Sequence, residues 1–351
     1  MNPHTQTLHD TIAKLFASGK GILAADESVA SIHKRFEALN IPQTEESRLA
    51  YRSLLVGTPQ LSNEISGIIY HDETFRQIID GKTFAEYSTD NGIIPGIKVD
   101  KGLLDLPNFP GEKLTLGLDG LKERMDEYFS LGARFCKWRA VVDVQTSTQE
   151  GIEANMRNLA LYASIAQSAG LVPMVEPEVL YDGEHLQHET KEVLVNVLTH
   201  LFGELALYRV DLTGVILKTS MALSGKKSGE VVSAQEVAAA TAEVLHGSVP
   251  KNIGGVVFLS GGQTPVQATE NLSEIMKIGQ YGFPLTYSYS RAIQDPVLHF
   301  FASDMKAVDA ARVILKDRLD MNTLALAGTY SQANETGKSS VVESVTHSQD
   351  L

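Results

Sequence analysis

A lysine at position 218 ends an apolar run and has the chemistry of a nucleophile. Residues 214–217, Gly-Val-Ile-Leu, lead directly into Lys218, and such a run is typical of a buried strand. Burying an ammonium is costly unless the charge is paired or lost. Burial and a neighbouring cation both favour a neutral amine, which condenses with a carbonyl to give a Schiff base. The alternative is a lysine whose stem packs on apolar surface while its ammonium reaches water.

Two further apolar runs carry charged residues at alternate positions. Lys137 and Arg139 lie two apart in one run, and Glu176 and Glu178 lie two apart in the next. Because side chains two apart on a strand share a face, each pair points to one side of its strand. A second lysine near the nucleophile would favour its reactive form, and the carboxylates would supply general acids and bases.

Elements that could position these residues recur along the chain. Eight strand-like runs, each followed by a helical pattern or by a loop leading to one, lie at 21–28, 66–72, 93–100, 133–140, 171–179, 214–221, 255–262 and 284–290. Eight alternations of strand and helix predict an α/β fold, a single-domain (β/α)8 TIM barrel with a parallel sheet. An open doubly wound sheet is the rival, but no strand leads into a GxGxxG sequence.

Charged residues concentrate where these runs end, which is the active-site side of such a barrel. They are Asp26, Lys98, Lys137 with Arg139, Glu176 with Glu178, Lys218, and Arg291 after the last run. Charges at so many ends of otherwise apolar strands predict a functional cluster rather than a solvated rim. Cys136 and Trp138 take the opposite face of their run, so we expect them to pack under the helices.

Two segments have the composition of anion sites. Ser260, Gly261 and Gly262 follow the seventh run, and Ser288 and Arg291 accompany the eighth. The loops after strands seven and eight of a (β/α)8 barrel commonly hold phosphate, and glycines let backbone N–H groups approach it.

A second possible anion site stands at the start of a predicted helix after the first run. It comprises Ser28 and Ser31, with Arg35 and Lys98 nearby. Ordinary helix capping is the alternative explanation for the two serines.

The bulk composition narrows the class of protein. The chain has 351 residues and a formal net charge of −13, so nucleic acid and anionic membrane surfaces are poor candidates for partners. Its one cysteine, Cys136, cannot form an internal disulfide, which fits a reducing, cytoplasmic location. No apolar stretch is long enough to span a bilayer, and the start of the chain lacks the composition of a leader peptide.

The two ends of the chain differ from the middle. Leu8, Ile12, Leu15 and Phe16 recur at helical spacing and predict an amphipathic docking helix. The stretch from Gly328 onward is polar and without periodicity. We therefore predict a barrel domain over residues 1–330 and a flexible tail over residues 331–351.

Two motifs do not support their usual interpretation. The LSGGQ sequence at 259–263 is typical of ABC-type ATPases, but the chain has no GxxxxGK[ST] loop to accompany it. His185 and His188 resemble a metal pair, but they fall in a charged helix start that we expect to be exposed, and the sequence offers no convincing third ligand. We predict no metal site and no cofactor.

In order along the chain, the motifs resemble those of class I fructose-1,6-bisphosphate aldolases from about residue 5 to residue 330. The matching sequences are KGILAADES (20–28), GIKVDKG (96–102), GLDGL (117–121), KWR (137–139), VEPE (175–178), LK…M (217, 218, 221), FLSGGQ (258–263) and SYSRA (288–292). The resemblance implies a (β/α)8 barrel and a reversible, metal-independent cleavage of fructose 1,6-bisphosphate in glycolysis and gluconeogenesis. It also implies a homo-oligomer, commonly a homotetramer.

The resemblance further implies a role for each charged residue. Lys218 forms the Schiff base at the C2 ketone, and Glu176 transfers protons for carbinolamine formation and dehydration. Glu178 supports Lys218, Lys137 assists by its charge, and Asp26 takes the C4 hydroxyl proton. The implied ligands of the C1 phosphate are Arg291, Ser288, Ser260, Gly261 and Gly262, with Arg35 nearby. Those of the C6 phosphate are Ser28, Ser31 and Lys98, and Arg139 is implied to bind the substrate.

The chain departs from the familiar animal and plant members at three places. It ends in Leu351 instead of the tyrosine that takes part in enamine proton exchange, and its last tyrosine is Tyr330. The family's lysine–proline–asparagine–methionine stretch is here Lys-Thr-Ser-Met at 218–221. Ser290 replaces a glycine whose backbone contacts phosphate, and serine tolerates fewer conformations.

Two rival functions stay open at this stage. One is another Schiff-base barrel enzyme, such as a transaldolase or an aldolase for fructose 1-phosphate or sedoheptulose 1,7-bisphosphate. The other is a catalytically silent barrel that serves as a binding scaffold. The two anion segments favour a bisphosphate substrate, and the intact charged cluster argues against a silent scaffold.

Overall fold

The computed structural model of the chain describes residues 3–335. Its strands are β1 (Gly21–Ala25), β2 (Ile65–Tyr70), β3 (Ile78–Ile79), β4 (Lys82–Thr83), β5 (Ile94–Lys98), β6 (Leu103–Asp105), β7 (Lys113–Thr115), β8 (Phe135–Val142), β9 (Val172–Val179), β10 (Ile216–Thr219), β11 (Gly255–Phe258) and β12 (Leu285–Tyr289). Two pairs, β3 with β4 and β6 with β7, form short antiparallel hairpins outside the main sheet.

The other eight strands close a parallel barrel in the order β1-β12-β11-β10-β9-β8-β5-β2. Each of them falls within one of the eight predicted runs or within one residue or two of its ends, so the predicted (β/α)8 barrel is confirmed. Several strands are shorter than predicted: β1 ends at Ala25, and β10 covers only Ile216–Thr219. The polar residues that follow these ends lie beyond the hydrogen-bonded part of each strand.

Twelve α-helices accompany the strands in the described part of the chain. They are α1 (Thr5–Leu15), α2 (Val29–Ala38), α3 (Glu45–Val56), α4 (Asp72–Arg76), α5 (Phe84–Asp90), α6 (Leu121–Ser130), α7 (Gln149–Ser168), α8 (Gln187–Leu207), α9 (Ala234–Ser248), α10 (Pro265–Ile278), α11 (Arg291–Ser303) and α12 (Val308–Leu326). Side-chain caps define many of their starts. Thr83, Ser233 and Thr264 form reciprocal capping boxes at α5, α9 and α10, which satisfy N–H groups that have no partner within the helix.

Helix α1 closes the amino end of the barrel. Its Leu8, Ile12 and Leu15 belong to one apolar cluster with residues that point into the barrel, among them Phe135 and Met174. Phe16 occupies space that only a glycine leaves free, since a Cβ on Gly255 would lie 2.2 Å from the Phe16 ring. The predicted amphipathic docking helix therefore plugs the barrel bottom.

Cys136 and Trp138 lie in the second, larger core between the barrel wall and the helices, and both are fully buried. Their inward neighbours on β8 are Phe135, Lys137 and Arg139, as alternation requires. The predicted assignment of the two faces of β8 is confirmed.

The predicted C-terminal tail begins at residue 331. Its first residues include a 3-10 turn at Gln332–Glu335, where Glu335 bonds Arg318 at 2.6 Å and Tyr330 at 2.8 Å. Residues 336–351 lie outside the described residues, and the division into a barrel domain and a tail stays a prediction.

Candidate active site

The inward side chains of the barrel change from apolar to charged along the strands. In three strands, and at the end of β1, an apolar residue is followed two positions later by a charged one: Phe135 by Lys137, Met174 by Glu176, Ile216 by Lys218, and Ala24 by Asp26. The apolar members form the lower layer with α1. The charged members form an upper layer at the carboxyl ends, and none is more than 8 % exposed.

These four charged groups form a continuous chain of ion pairs. Lys137 Nζ lies 2.7 Å from Asp26 Oδ2 and 3.0 Å from Glu176 Oε2. The second oxygen of Glu176, Oε1, lies 3.0 Å from Lys218 Nζ. Glu176 therefore stands between two lysines, and Lys137 between two carboxylates.

Opposite charges fix the protonation of three of these groups. Burial alone would lower the pKa of Lys137, but Asp26 and Glu176 outweigh burial and raise that pKa well above its usual value. Burial opposes ionisation of Asp26 and Glu176, yet Lys137 and Lys218 hold the pKa of both carboxyls below their usual range. Lys137 is thus a permanent cation between two carboxylates.

A second group of ion pairs lies above this layer. Arg139 Nε pairs with Glu178 Oε2, and the Arg139 backbone N–H donates to Asp100 Oδ2 at 3.3 Å. Asp100 also accepts from Lys98 Nζ at 2.5 Å. The structure thus places Glu178 in an ion pair with Arg139. The resemblance had implied that Glu178 supports Lys218 instead.

The predicted phosphate segment after β11 and β12 meets the start of α11. The Ala292 N–H donates to Ser260 Oγ at 3.4 Å, and α11 begins at Arg291, whose side chain is exposed. Ser288 Oγ is buried and has no hydrogen-bond partner among residues 3–335. A helix start, a free hydroxyl and a guanidinium together suit an anion.

Gly262 gives this segment its shape. It has φ +79°, and a Cβ there would lie 2.1 Å from Cγ of Tyr181, whose ring packs against it. Both the backbone conformation and the packed ring require glycine.

On the other side of the barrel mouth, Ser28 and Ser31 take part in a helix cap, which was the alternative explanation for these two serines. Ser28 Oγ caps α2 by accepting from the Ser31 N–H at 3.2 Å. Arg35 lies one turn further along and is held by Glu27 at 2.5 Å and by Asp295 at 2.7 Å. Both serines line the cavity, and their hydroxyl oxygens lie 3.0 Å apart.

A cavity of about 1230 Å³ collects nearly all of the predicted site residues. Its wall includes Asp26, Ser28, Ser31, Arg35, Lys98, Lys137, Arg139, Glu176, Glu178, Lys218, Ser260, Gly261, Ser288 and Arg291. Gly262 lines an adjoining cavity of about 440 Å³ that shares Arg35, Arg139 and Arg291 with the first. The structure therefore brings together residues that are almost 270 positions apart in the chain.

Reasoning from the sequence missed three carboxylates of this region. They are Glu27, Asp100 and Asp295, each of which binds a cation of the site. Glu27 and Asp100 stand in the motifs already singled out, AADES and KVDKG, so their position beside Asp26 and Lys98 was the available signal. Asp295 lies on α11 with no such motif.

One expectation about exposure is wrong. His185 is only 2 % exposed, although the charged segment around it predicted an exposed side chain, because the loops at Gly183 and Gly225 cover its ring. Among residues 3–335, no group of three or more His, Cys, Asp and Glu side chains is arranged to hold a metal ion. No helix within that range has the length and apolar composition needed to cross a membrane.

Comparison with known proteins agrees with this arrangement. The family model described as fructose-bisphosphate aldolase class-I matches residues 7–349. A probable fructose-bisphosphate aldolase class 1 of Xanthomonas campestris pv. campestris is 49 % identical over 329 residues, which are 93 % of this chain and 98 % of the relative. A fructose-bisphosphate aldolase of Dictyostelium discoideum is 41 % identical over 336 residues, 94 % of each chain.

A solved structure is similar as well. The fructose-bisphosphate aldolase from Plasmodium falciparum, in complex with TRAP and a small molecule inhibitor, matches with a TM-score of 0.91. The identity is 42 %, and the match covers 93 % of this chain and 96 % of the other. With a family model matched over nearly its whole length and relatives at almost half identity, the chain belongs to the class I fructose-bisphosphate aldolase family.

Proposed function

We propose that this chain reversibly cleaves fructose 1,6-bisphosphate to dihydroxyacetone phosphate and glyceraldehyde 3-phosphate, through a Schiff base on Lys218 and without a metal. The observation that carries the proposal is the buried chain of ion pairs from Lys218 through Glu176 and Lys137 to Asp26. It combines an amine, a proton acceptor, a fixed cation and a second base in one cavity.

Schiff-base formation uses the contact between Lys218 and Glu176. Transfer of a proton from Lys218 to Glu176 Oε1, 3.0 Å away, leaves an amine that attacks the C2 ketone. The cationic nitrogen of the adduct passes its extra proton to the oxyanion at C2, which gives the carbinolamine, and the same carboxyl then protonates the hydroxyl, which leaves as water. Lys137, which stays charged, stabilises the oxyanion that forms at C2.

Cleavage of the C3–C4 bond uses Asp26. Its carboxylate is ionised because Lys137 and Lys218 overcome the effect of burial on its pKa, so it can take the proton of the C4 hydroxyl. The C3–C4 electron pair moves toward C3 and into the C2 iminium, which becomes an enamine. Glyceraldehyde 3-phosphate leaves, a proton returns to C3, and the water lost earlier is regained when the iminium is hydrolysed to dihydroxyacetone phosphate.

The two phosphates occupy opposite sides of the cavity. Arg291, the Ser288 hydroxyl and the backbone at 260–262 would bind the C1 phosphate at the start of α11. Ser28, Ser31 and Lys98 would bind the C6 phosphate at the start of α2, while Arg139, paired with Glu178, contacts the sugar between them. Two separate anion sites favour a bisphosphate over a sugar with one phosphate.

The test is a coupled cleavage assay with and without EDTA. We expect equal activity in both, and a kcat/KM for fructose 1,6-bisphosphate well above that for fructose 1-phosphate. Activity lost in EDTA would overturn the metal-independent mechanism, and equal kcat/KM for the two sugars would overturn the assignment of the C6 phosphate site. Sedoheptulose 1,7-bisphosphate, assayed in parallel, measures how far the site discriminates among bisphosphates.

We also propose that the protein works as a homo-oligomer, a homotetramer by resemblance to its family, in the cytoplasm. Static light scattering at assay concentrations should give about four times the mass of 38.2 kDa for one chain. A mass equal to one chain would overturn the proposed assembly. Fractionation of source cells should recover the activity in the soluble fraction, and activity in the membrane pellet would overturn the proposed location.

A further inference from the structure

The Ser290 hydroxyl joins two sides of the cavity. Ser290 Oγ donates to Glu27 Oε1 at 2.8 Å, which ties the N-cap of α11 to the residue that follows Asp26. Its φ of −108° lies outside the left-handed region, so this position does not require glycine. The side chain therefore makes a contact that a glycine at this position cannot make.

The same hydroxyl also satisfies a buried amide. Gln294, which is 0 % exposed, donates from Nε2 to the Ala24 carbonyl at 2.6 Å and to Ser290 Oγ at 3.2 Å. Removal of the hydroxyl would take away one acceptor from an amide that has no access to water. Ser290 thus stands in the middle of a chain of hydrogen bonds that runs from Gln294 on α11 to Glu27 after the end of β1.

Glu27, at the far end of this chain of hydrogen bonds, is paired with arginines. Glu27 Oε2 binds Arg52 at 2.5 Å, and Glu27 Oε1 binds Arg35 at 2.5 Å. Arg35 in turn reaches Asp295 on α11 at 2.7 Å. The carboxylate that accepts from the Ser290 hydroxyl is consequently held by two arginines, one on each oxygen.

We propose that Ser290 is a positioning residue for binding of the C1 phosphate, a role that rests on the function proposed above. Its hydroxyl holds the start of α11 against Glu27, so that Arg291 and the N–H groups of that first turn face the phosphate. Ser290 Oγ bonds Glu27 and Gln294, and neither of these is one of the proposed C6 phosphate ligands Ser28, Ser31 and Lys98. Ser290 therefore acts on one of the two phosphates.

The two products allow binding at the two phosphate sites to be measured separately, because dihydroxyacetone phosphate carries the C1 phosphate and glyceraldehyde 3-phosphate carries the C6 phosphate. The dihydroxyacetone phosphate concentration for half-maximal borohydride trapping on Lys218 measures the first site. The KM for glyceraldehyde 3-phosphate in the condensation direction measures the second. The variants are Ser290→Ala, Ser290→Gly and Ser290→Thr, and the matched control is Ser303→Ala, whose exposed hydroxyl donates to the Phe300 carbonyl of the same helix.

We expect S290A and S290G to raise the half-saturating dihydroxyacetone phosphate concentration about five- to tenfold, the size of effect that the loss of one typical hydrogen bond produces. The KM for glyceraldehyde 3-phosphate should stay within about twofold. S290T should restore the wild-type value, and S303A should match it. Unchanged dihydroxyacetone phosphate dependence in both S290A and S290G, or an equal rise for both substrates, would overturn the inference alone. No adduct in the wild-type protein would overturn the proposed function as well.

Discussion

One carboxylate oxygen of Glu176 lies 3.0 Å from the ammonium nitrogen of Lys218, and the other lies 3.0 Å from that of Lys137. This arrangement gives the two lysines different roles. Lys137 has a second carboxylate partner in Asp26, which helps to hold its pKa above the usual value. Lys218 has Glu176 alone as its ion-pair partner in the described part of the chain, so one proton transfer frees its amine.

Replacement of Glu176 should slow the formation of the Schiff base. In Glu176→Gln we expect kcat to fall about 10²- to 10⁴-fold, the usual loss when a general acid and base is removed. Single-turnover trapping should show that adduct formation is the slow step. The control is Glu243→Gln, which removes an exposed carboxylate paired with Lys191. Trapping at the wild-type rate in E176Q would contradict the assigned role.

Replacement of Asp26 should separate Schiff-base formation from cleavage. Asp26→Asn keeps the shape of the side chain and removes the base, so fructose 1,6-bisphosphate should still be trapped on Lys218. Release of glyceraldehyde 3-phosphate should fall about 10²- to 10⁴-fold. If cleavage in D26N persisted at the wild-type rate, another group would have to deprotonate the C4 hydroxyl.

Acid should destabilise the protein partly through Glu27. Burial opposes ionisation of Glu27, but Arg52 and Arg35 overcome it and lower its pKa in the folded state. A carboxyl with a lowered folded pKa contributes stability above its unfolded pKa, about 4.3, and loses it as the pH falls below that value. The free energy of unfolding, measured with urea, should therefore drop from about pH 5 to pH 3.

Glu27→Gln provides the comparison. At neutral pH the variant should lose about 3 kcal/mol, because it leaves the buried Arg52 without a carboxylate partner at this position. Its stability should then fall less steeply than that of the wild type as the pH decreases through the same window. Parallel pH curves for the two proteins would contradict this account.

A Cβ at Gly262 should disturb the phosphate segment. In Gly262→Ala, the positive φ costs about 1–2 kcal/mol and the methyl group would meet the Tyr181 ring. We expect weaker binding of dihydroxyacetone phosphate, with partial recovery when Tyr181→Ala removes the ring. Gly203→Ala on α8 is the matched control, since among residues 3–335 no atom outside the adjoining residues and backbone of its own helix lies within 4 Å of the position that a Cβ would take. Equal binding by G262A and the wild type would show that this segment does not hold the phosphate.

The sequence predicted the barrel and its charged layer because both follow from short-range rules. Alternation on β8 places Lys137 inside and Trp138 outside, whatever the rest of the fold does. Pairing between charges was harder to predict, because it depends on side-chain conformations across neighbouring strands and on how helices from distant parts of the chain meet. Glu178 binds Arg139, and Asp295 on α11 reaches Arg35 on α2 across 260 positions. The burial of His185 depends in the same way on loops that approach from elsewhere in the chain.

Lys218 should carry the covalent intermediate, and borohydride trapping shows whether it does. The protein is incubated with dihydroxyacetone phosphate and EDTA, reduced, digested and mapped by mass spectrometry, with Lys218→Arg as the control that keeps the positive charge beside Glu176. The account predicts one adduct, on Lys218, and none in K218R. An adduct on Lys137, or no adduct in an enzyme that EDTA inactivates, would contradict it.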